Sequence, residues 1–441
     1  MPVPPQTEAS CLLASGTLYR RRIGLRQASG HADLVFAGFK SGGFSVYFGD
    51  APIYHFDLEG RWQRAFVEPT HFLKGLDTRV HAVDRVREGS NLVLRRRALD
   101  DQEARALDLQ VQGIALGLLG ELDRGRLRFE APPPEKALPL QAEELRDFLK
   151  RIAAWDESAW ARHRARYEST YGPLPFLPPE CQNALVLQAT VGHAGGRAFA
   201  HGAAEPHSVR SGEEFSAHAE QVAALLGRRI HQSRVVFLAG SDALRCPPEA
   251  VTGWLEVVQE RFPIGAKPKG ASGAGDTPGL EGVHVFLDEF SSPLPDLESL
   301  RTWRDLQLTH VSLGVESGST AVRRSFGRTW NEDELRRFVA SLHEAAIRVS
   351  VLVLVGAGGT ALADEHVRET ARLLESLDLR RGERVFLLDE RELRGEDAPV
   401  ADEPLRGEAW LEQQAALKQA LAGLKERGVQ ILPYSLEKQW G

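Results

Sequence analysis

The chain has 441 residues, 54 Lys and Arg against 61 Asp and Glu, and a formal net charge of −7. That balance speaks against nucleic-acid binding, which needs a basic face to neutralise phosphates, and the length exceeds what one ordinary core serves, so two domains are expected. The three cysteines, Cys11, Cys181 and Cys246, lie far apart in no CxxC spacing, which argues against a disulfide framework and for a reducing compartment.

The N-terminal "MPVPPQTEASCLLASGTLYRRR" carries its positive charges after a weak apolar stretch, the wrong order for a signal peptide. The most apolar run, "VSVLVLVGAGG", is too short to span a bilayer. A cytoplasmic protein with no membrane association is expected.

From residue 18 to 100 the runs "HADLVFAGF", "GGFSVYFGD", "PIYHFDLEG", "RWQRAFVEP" and "NLVLRRRA" are short and mostly aromatic or β-branched, with turn residues between them, and predict strands. "DDQEARALDLQVQGIALGLLGEL" opens on acids and continues with helical apolar spacing, so a helix is predicted there. After "PPPEKALP" the segment "QAEELRDFLKRIAAWDESAWARHRARYEST" returns to helix, and "YGPLPFLPPE" forms a proline-rich connector. This defines an α+β domain over residues 1–140 and a helical segment with connector over 141–181.

From residue 182 to 441 the texture changes. "NALVLQATVG", "RVVFLAGSDAL", "GVHVFLDEF", "THVSLGVESG", "RVSVLVLVGAGG" and "ERVFLLDER" are six near-continuous apolar runs separated by helical segments. Such alternation predicts a parallel sheet buried on both faces, and six units predict a partial (β/α)6 TIM-like barrel with a C-terminal helix. The stretch 264–282, rich in Gly, Lys, Pro and Ser, is expected to be a mobile loop.

Taken in order, "YGPLPFLPPE", "LVLQATVG", "HSVRSGEEFSAH", "VVFLAGSDAL", "VSLGVESGS" and "VLVLVGAGG" resemble the landmarks of the radical S-adenosylmethionine (radical SAM) superfamily over about residues 171–390. The resemblance implies a CxxxCxxC motif in the loop after the first barrel strand, whose three thiolates hold a 4Fe–4S cluster. Laid on "GHAGGRAFA", that spacing falls on His193, Arg197 and Ala200, none of them cysteine. The loop therefore reads as a cluster loop that has lost its ligands, and no 4Fe–4S cluster is expected.

The resemblance also implies a residual S-adenosyl-type cleft. Gly240, Ser241 and Asp242 of "AGSDAL" match a glycine-and-acid motif at the end of the second strand; their other reading is a strand–helix turn capped by Asp242. Glu316 and Ser317 of "GVESGS" match residues that contact the cofactor from the fourth strand, and their other reading is a Ser/Gly helix cap. Gly356 and Gly358 of "LVGAGG" match the backbone beside adenine. Such a cleft implies weak binding of S-adenosylmethionine or S-adenosylhomocysteine.

His193, His201, His207 and His218 are metal-capable side chains in no standard zinc spacing. In the N-terminal domain, "SGGFSVYFGDAPIYHFDLEGRW" interleaves aromatics with Asp50, Asp57, Glu59 and Arg61. That alternation has two readings, a recognition pocket or one buried and one wet face of a sheet. The expected function is a degenerate, non-catalytic radical-SAM-like protein acting as a partner, scaffold or substrate-binding subunit, beside a cysteine-bearing relative or another catalytic subunit. Two further readings stand next to it: an active radical SAM enzyme with an unrecognised cluster or metal arrangement, and a small-molecule-binding or sensing protein using the old cleft.

Overall fold

The computed structural model describes residues 21–27, 35–40, 42–88, 91–130, 138–172, 174, 176–192, 207–240, 243–262, 264–265, 279–291, 293–394 and 405–435. His193, Arg197, Ala200, Ser241, Asp242 and positions 266–278 of the predicted loop lie outside the described residues, as does His201.

The N-terminal runs form one antiparallel meander. Strands β1 (Arg21–Gln27), β2 (Val35–Lys40), β3 (Gly43–Phe48), β4 (Ile53–Asp57), β5 (Trp62–Val67), β6 (Thr70–Lys74), β7 (Val80–Glu88) and β8 (Asn91–Ala98) pair in sequence order. Two short strands, β9 (Leu127–Glu130) and β10 (Leu138–Pro139), return to pair with β1. Period-two alternation sends Phe44, Val46, Tyr54 and Phe56 to one face, and a bulge opposite His55 and Phe56 lets both Trp62 and Ala65 of β5 join them. There they pack with Leu107, Val111 and Leu118 of the helix Asp101–Asp123 and with Leu145, Phe148 and Leu149 of the helix Ala142–Ala153. The first of these helices begins with a capping box, Asp100 accepting from the Glu103 N–H at 2.8 Å, which satisfies donors the helix cannot pair internally.

The second sheet is parallel throughout. Its strands are β11 (Leu185–Gln188), β14 (Val236–Ala239), β15 (Val283–Leu287), β16 (Leu308–Glu316), β17 (Arg348–Val355), β18 (Arg384–Asp389) and β19 (Gln430–Tyr434), in that spatial order. A two-stranded ribbon of β12 (Thr190–Val191) and β13 (Ser208–Val209) sits apart. The six barrel strands expected from the sequence are all present, and the described residues add a seventh, β19, at the sheet's edge. The added strand β19 follows the helices Gly407–Ala420 and Ala422–Glu426 and is mostly exposed. It tolerates Pro433 because it lies at the sheet's edge.

Alternation again divides the faces. Val285, Leu313, Val315, Val351, Val353 and Leu387 point to the helical layer, where Trp254, Trp303, Leu335 and Leu373 close the main core. Phe237, Phe286, Leu352, Leu354, Phe386 and Leu388 form a second cluster on the other face with Phe176 and Cys181.

A polar seam joins the two sheets. Arg61 donates from Nη1 and Nη2 to the carbonyls of Leu225 and Leu226 at 2.7 and 2.5 Å, while its Nε donates to Asp57 at 2.6 Å. It thereby satisfies the orphan carbonyls at the C-terminus of the helix Gly212–Leu226 and complements the helix dipole. Arg228 donates to Glu59 at 2.8 Å, and Gln63 to Gln232 at 2.8 Å. So Asp57, Glu59 and Arg61 of the aromatic stretch fasten the antiparallel sheet to the end of the helix Gly212–Leu226 and the turn after it. Among the described residues no helix is long and apolar enough to cross a membrane.

Candidate functional site

Ligand sites of parallel α/β sheets form where the strands end at their carboxyl edge. Here that edge holds Asp288 just after β15, Glu316 at the end of β16, and Gly356 just after β17. The alternation that sends Val315 outward turns Glu316 to the inner face, helped by a register shift between Gly314 and Glu316 and a left-handed Glu316 with φ of 57°. A non-glycine residue in that region is strained unless its surroundings hold it.

What holds Glu316 is Arg328, from the loop after the helix Thr320–Ser325. Arg328 Nε donates to Glu316 Oε1 at 2.8 Å, and its Nη2 donates to Asp288 Oδ2. All three groups are buried, so two carboxylates share one guanidinium. Burial works against the Arg328 charge, but Glu316 and Asp288 outweigh it and raise its pKa. For Glu316, burial pushes the carboxyl up to about 8; Arg328 pulls it down, and Asp288 and Glu289 add to the rise. Its second oxygen, Oε2, is buried with no hydrogen-bond partner among the described residues. A carboxyl titrating near neutral pH with one oxygen uncommitted can accept from, or exchange a proton with, an amine or hydroxyl.

The sign of that titration makes a testable consequence. The folded carboxyl titrates near 8 and the ordinary one near 4.5, so between these values the folded state holds the extra proton. The associated stability is fully present below about pH 4.5 and is lost as the pH rises through 8. Glu316→Gln, which keeps an acceptor for Arg328, removes this dependence. Urea unfolding should show wild type losing on the order of 1–2 kcal/mol relative to Glu316→Gln between pH 6 and pH 8. Parallel stability curves for the two proteins would contradict it.

The neighbours of Glu316 are committed elsewhere. Ser317 Oγ lies 2.7 Å from His366 Nδ1, and burial pushes that imidazole down to about 4. The Ser317 hydroxyl is thus set against a neutral histidine. Ser319 caps the helix Thr320–Ser325, accepting from Val322 N–H at 3.2 Å and donating to Glu365 at 2.6 Å. Arg323 closes the loop, donating to the Gly318 carbonyl at 2.6 Å with its guanidinium 4.2 Å from the Trp330 ring. Glu316 and Ser317 therefore sit side by side in the chain but serve different networks.

The glycines at this edge are explained by packing and backbone. Gly240 has φ of 124°, and a Cβ there would stand 1.9 Å from Thr190 Oγ1. Gly358 has φ of 84° and would meet Leu362 and Val322, both at 3.0 Å. Gly356 donates its N–H to Gln413 Oε1 at 2.6 Å, so the helix Gly407–Ala420 covers that turn.

The histidines sort differently from the sequence reading. His218 is buried, and its Nε2 accepts from the Gln188 N–H at 2.9 Å; burial pushes it down to about 4. His207 is exposed. Two histidines that the sequence reading did not single out meet on the inner face: His284 and His310 stack at 4.8 Å. His310 Nε2 lies 3.1 Å from Ser350 Oγ and 3.5 Å from Glu180 Oε1. Their signal was present, since each is a polar residue inside an apolar strand run, where burial demands a partner. Cys181 lies below β11, fully buried, 3.8 Å from His284 Nδ1, and burial raises its thiol pKa.

No family model matches the chain, and no curated protein does. Among solved structures it is similar to the radical S-adenosylmethionine methyltransferase TsrM from Kitasatospora setae, at 16% identity over 53% of this chain and 38% of that one, with a TM-score of 0.33. It is also similar to the radical SAM enzyme coproporphyrinogen III oxidase from Escherichia coli, at 15% identity over 48% and 44% of the two chains and a TM-score of 0.33. With methylornithine synthase it shares 15% identity over 62% of this chain and 75% of that one, with a TM-score of 0.37. The matched part thus spans less than half the length of the first two proteins.

Proposed function

We propose that this chain is a radical-SAM-like protein that works without a 4Fe–4S cluster of its own, as a non-catalytic partner, scaffold or substrate-binding subunit. The observation that carries the reading is the donor set in the sequence of the loop after β11. Imidazole, guanidinium and methyl groups stand at His193, Arg197 and Ala200; imidazole can ligate iron, but guanidinium and methyl cannot, so the three-point thiolate attachment of such a cluster is lost. Cys181 supports the same reading, because it precedes β11 at the opposite end from Glu316 and is buried with a raised pKa. The residues present do not fit the cluster.

The uncommitted Oε2 of Glu316 favours one refinement, a cleft that still takes a small molecule. If that molecule is an S-adenosyl compound, the neutral S-adenosylhomocysteine suits the chain at least as well as S-adenosylmethionine, because Arg197 disfavours a sulfonium. A partner with cysteines at the corresponding positions, or another catalytic subunit, would supply the chemistry.

Protein purified without oxygen, and again after reconstitution with iron and sulfide, is expected to lack a stoichiometric cluster by iron and sulfide analysis. A brown protein with about four irons per chain would overturn the proposal and restore the enzyme reading. Affinity purification at native expression should return a second subunit.

A further inference from the structure

The antiparallel sheet has a face that its helices leave uncovered. Register fixes a row across it: Ser45 opposite His55, His55 opposite Arg64, Arg64 opposite Leu73, and Leu73 opposite His81. Directly opposed residues share a face, so this row looks away from the Phe44 and Phe56 core. It lines a cavity of about 430 Å³ whose other walls are the start of β11 and residues 226–233. The cavity lies at the amino end of β11 and therefore at the opposite end of the parallel sheet from Glu316. Its size falls in the ordinary range of small-molecule sites, roughly 300–1,000 Å³.

Its charge is lopsided. Among the described residues Arg64, Lys74, Arg79, Arg96 and Arg229 line it, against the single carboxylate of Asp77. Lys74 is matched by Asp108, at 2.6 and 2.8 Å, and Arg79 Nε lies 3.6 Å from Asp77. Arg229 is the exception. Among the described residues no hydrogen bond or ion pair reaches its guanidinium. Asp57, whose charge it feels, is already occupied by Arg61 Nε and by two backbone N–H groups. Burial pushes Arg229 down to about 10; Asp57 opposes this, while the like charges of Arg61 and Arg64 add to it. The Tyr167 hydroxyl, beside the same cavity, also lacks a partner among the described residues.

A half-buried guanidinium facing like charge is costly unless an anion completes it. We propose that this cavity binds a small organic phosphate, its phosphoryl group between Arg229 and Arg64 and its organic part beside Tyr167. The planar guanidinium fork matches phosphate oxygens two at a time, and the dianion relieves the repulsion between the two arginines. The Tyr167 hydroxyl donates to a further oxygen or stands against the organic group with its ring.

The test is calorimetric titration of the full chain with adenosine 5′-monophosphate, with inorganic pyrophosphate, and with citrate as a carboxylate of comparable charge. The expected result is saturable one-to-one binding of the phosphate probes, tighter than citrate. Arg229→Gln should weaken it about tenfold or more, the loss of one charge-assisted contact. Arg301→Gln, a surface control paired with Glu344, should leave it unchanged. If Arg229→Gln does not fold by circular dichroism, Arg229→Lys and Arg64→Gln carry the same expectation. Absence of phosphate binding, tighter binding of citrate, or affinity indifferent to these variants would overturn the proposal.

Discussion

Arg328→Met is expected to destabilise the protein by about 3–5 kcal/mol, the usual cost of removing one partner from a buried ionic group. The side chain is 1% exposed and bridges Glu316 and Asp288, themselves 0% and 5% exposed. Methionine fills most of the volume but leaves the buried Asp288 carboxylate and the buried Glu316 carboxyl without a cation. Glu316, titrating at about 8, already holds its proton at pH 7, so the cost falls on the buried, uncompensated charge of Asp288. Equilibrium denaturation in urea at pH 7 measures the loss. Adding Asp288→Asn and Glu316→Gln to Arg328→Met should recover much of it, because the buried charges are then gone. A loss below about 1 kcal/mol in the single variant, within the range of an exposed pair, would mean that the three groups do not form one network.

That network shows where the sequence speaks and where it is silent. Glu316 stood out because an acid closing a nine-residue strand, buried but for Thr309, needs a partner. The same rule, applied to "GVHVFLDEF", points to Asp288, which directly follows another buried strand. Arg328 carried no such mark: it is one of three arginines within six residues, Arg323, Arg324 and Arg328, and stands twelve residues beyond Glu316. Only the fold of the loop after the helix Thr320–Ser325 brings it back over the strand ends.

The same contrast runs through the chain. Buried parallel strands announce themselves as apolar runs, and six of the seven were legible. The seventh, "QILPY", is an exposed edge strand with a proline, and its pattern resembles a loop. In the N-terminal sheet the aromatic alternation told which residues face the helices. What the opposite face meets depends on the placement of residues 226–233, which lie more than 140 positions further along the chain than the Ser45–His81 row. Long-range juxtaposition of this kind leaves no periodic trace.

Gly318→Ala is expected to cost about 3 kcal/mol, the upper part of the usual range for forcing atoms into a packed site. An added Cβ would stand 2.1 Å from the Glu369 carbonyl oxygen and 2.3 Å from its carbon. Both are backbone atoms of the helix Ala363–Glu375, so no side-chain rotation relieves the contact. The turn cannot simply retreat either. Gly318 donates its N–H to Thr370 Oγ1 at 2.8 Å, and the flanking Ser317 and Ser319 are tied to His366 and Glu365 at 2.7 and 2.6 Å. Displacement loosens all three links to the helix at once and shifts Glu316, two residues upstream, against Arg328. Gly113→Ala and Gly117→Ala supply the opposite case. Both positions are exposed in the helix Asp101–Asp123, with nothing within 4 Å of an added Cβ. There alanine should stabilise by roughly 0.5–1 kcal/mol through its helix preference. Thermal unfolding of the three variants should therefore move in opposite directions. A Gly318→Ala protein as stable as wild type would show that the "GVESGS" turn does not press on the helix, and that Glu316 is held by Arg328 alone.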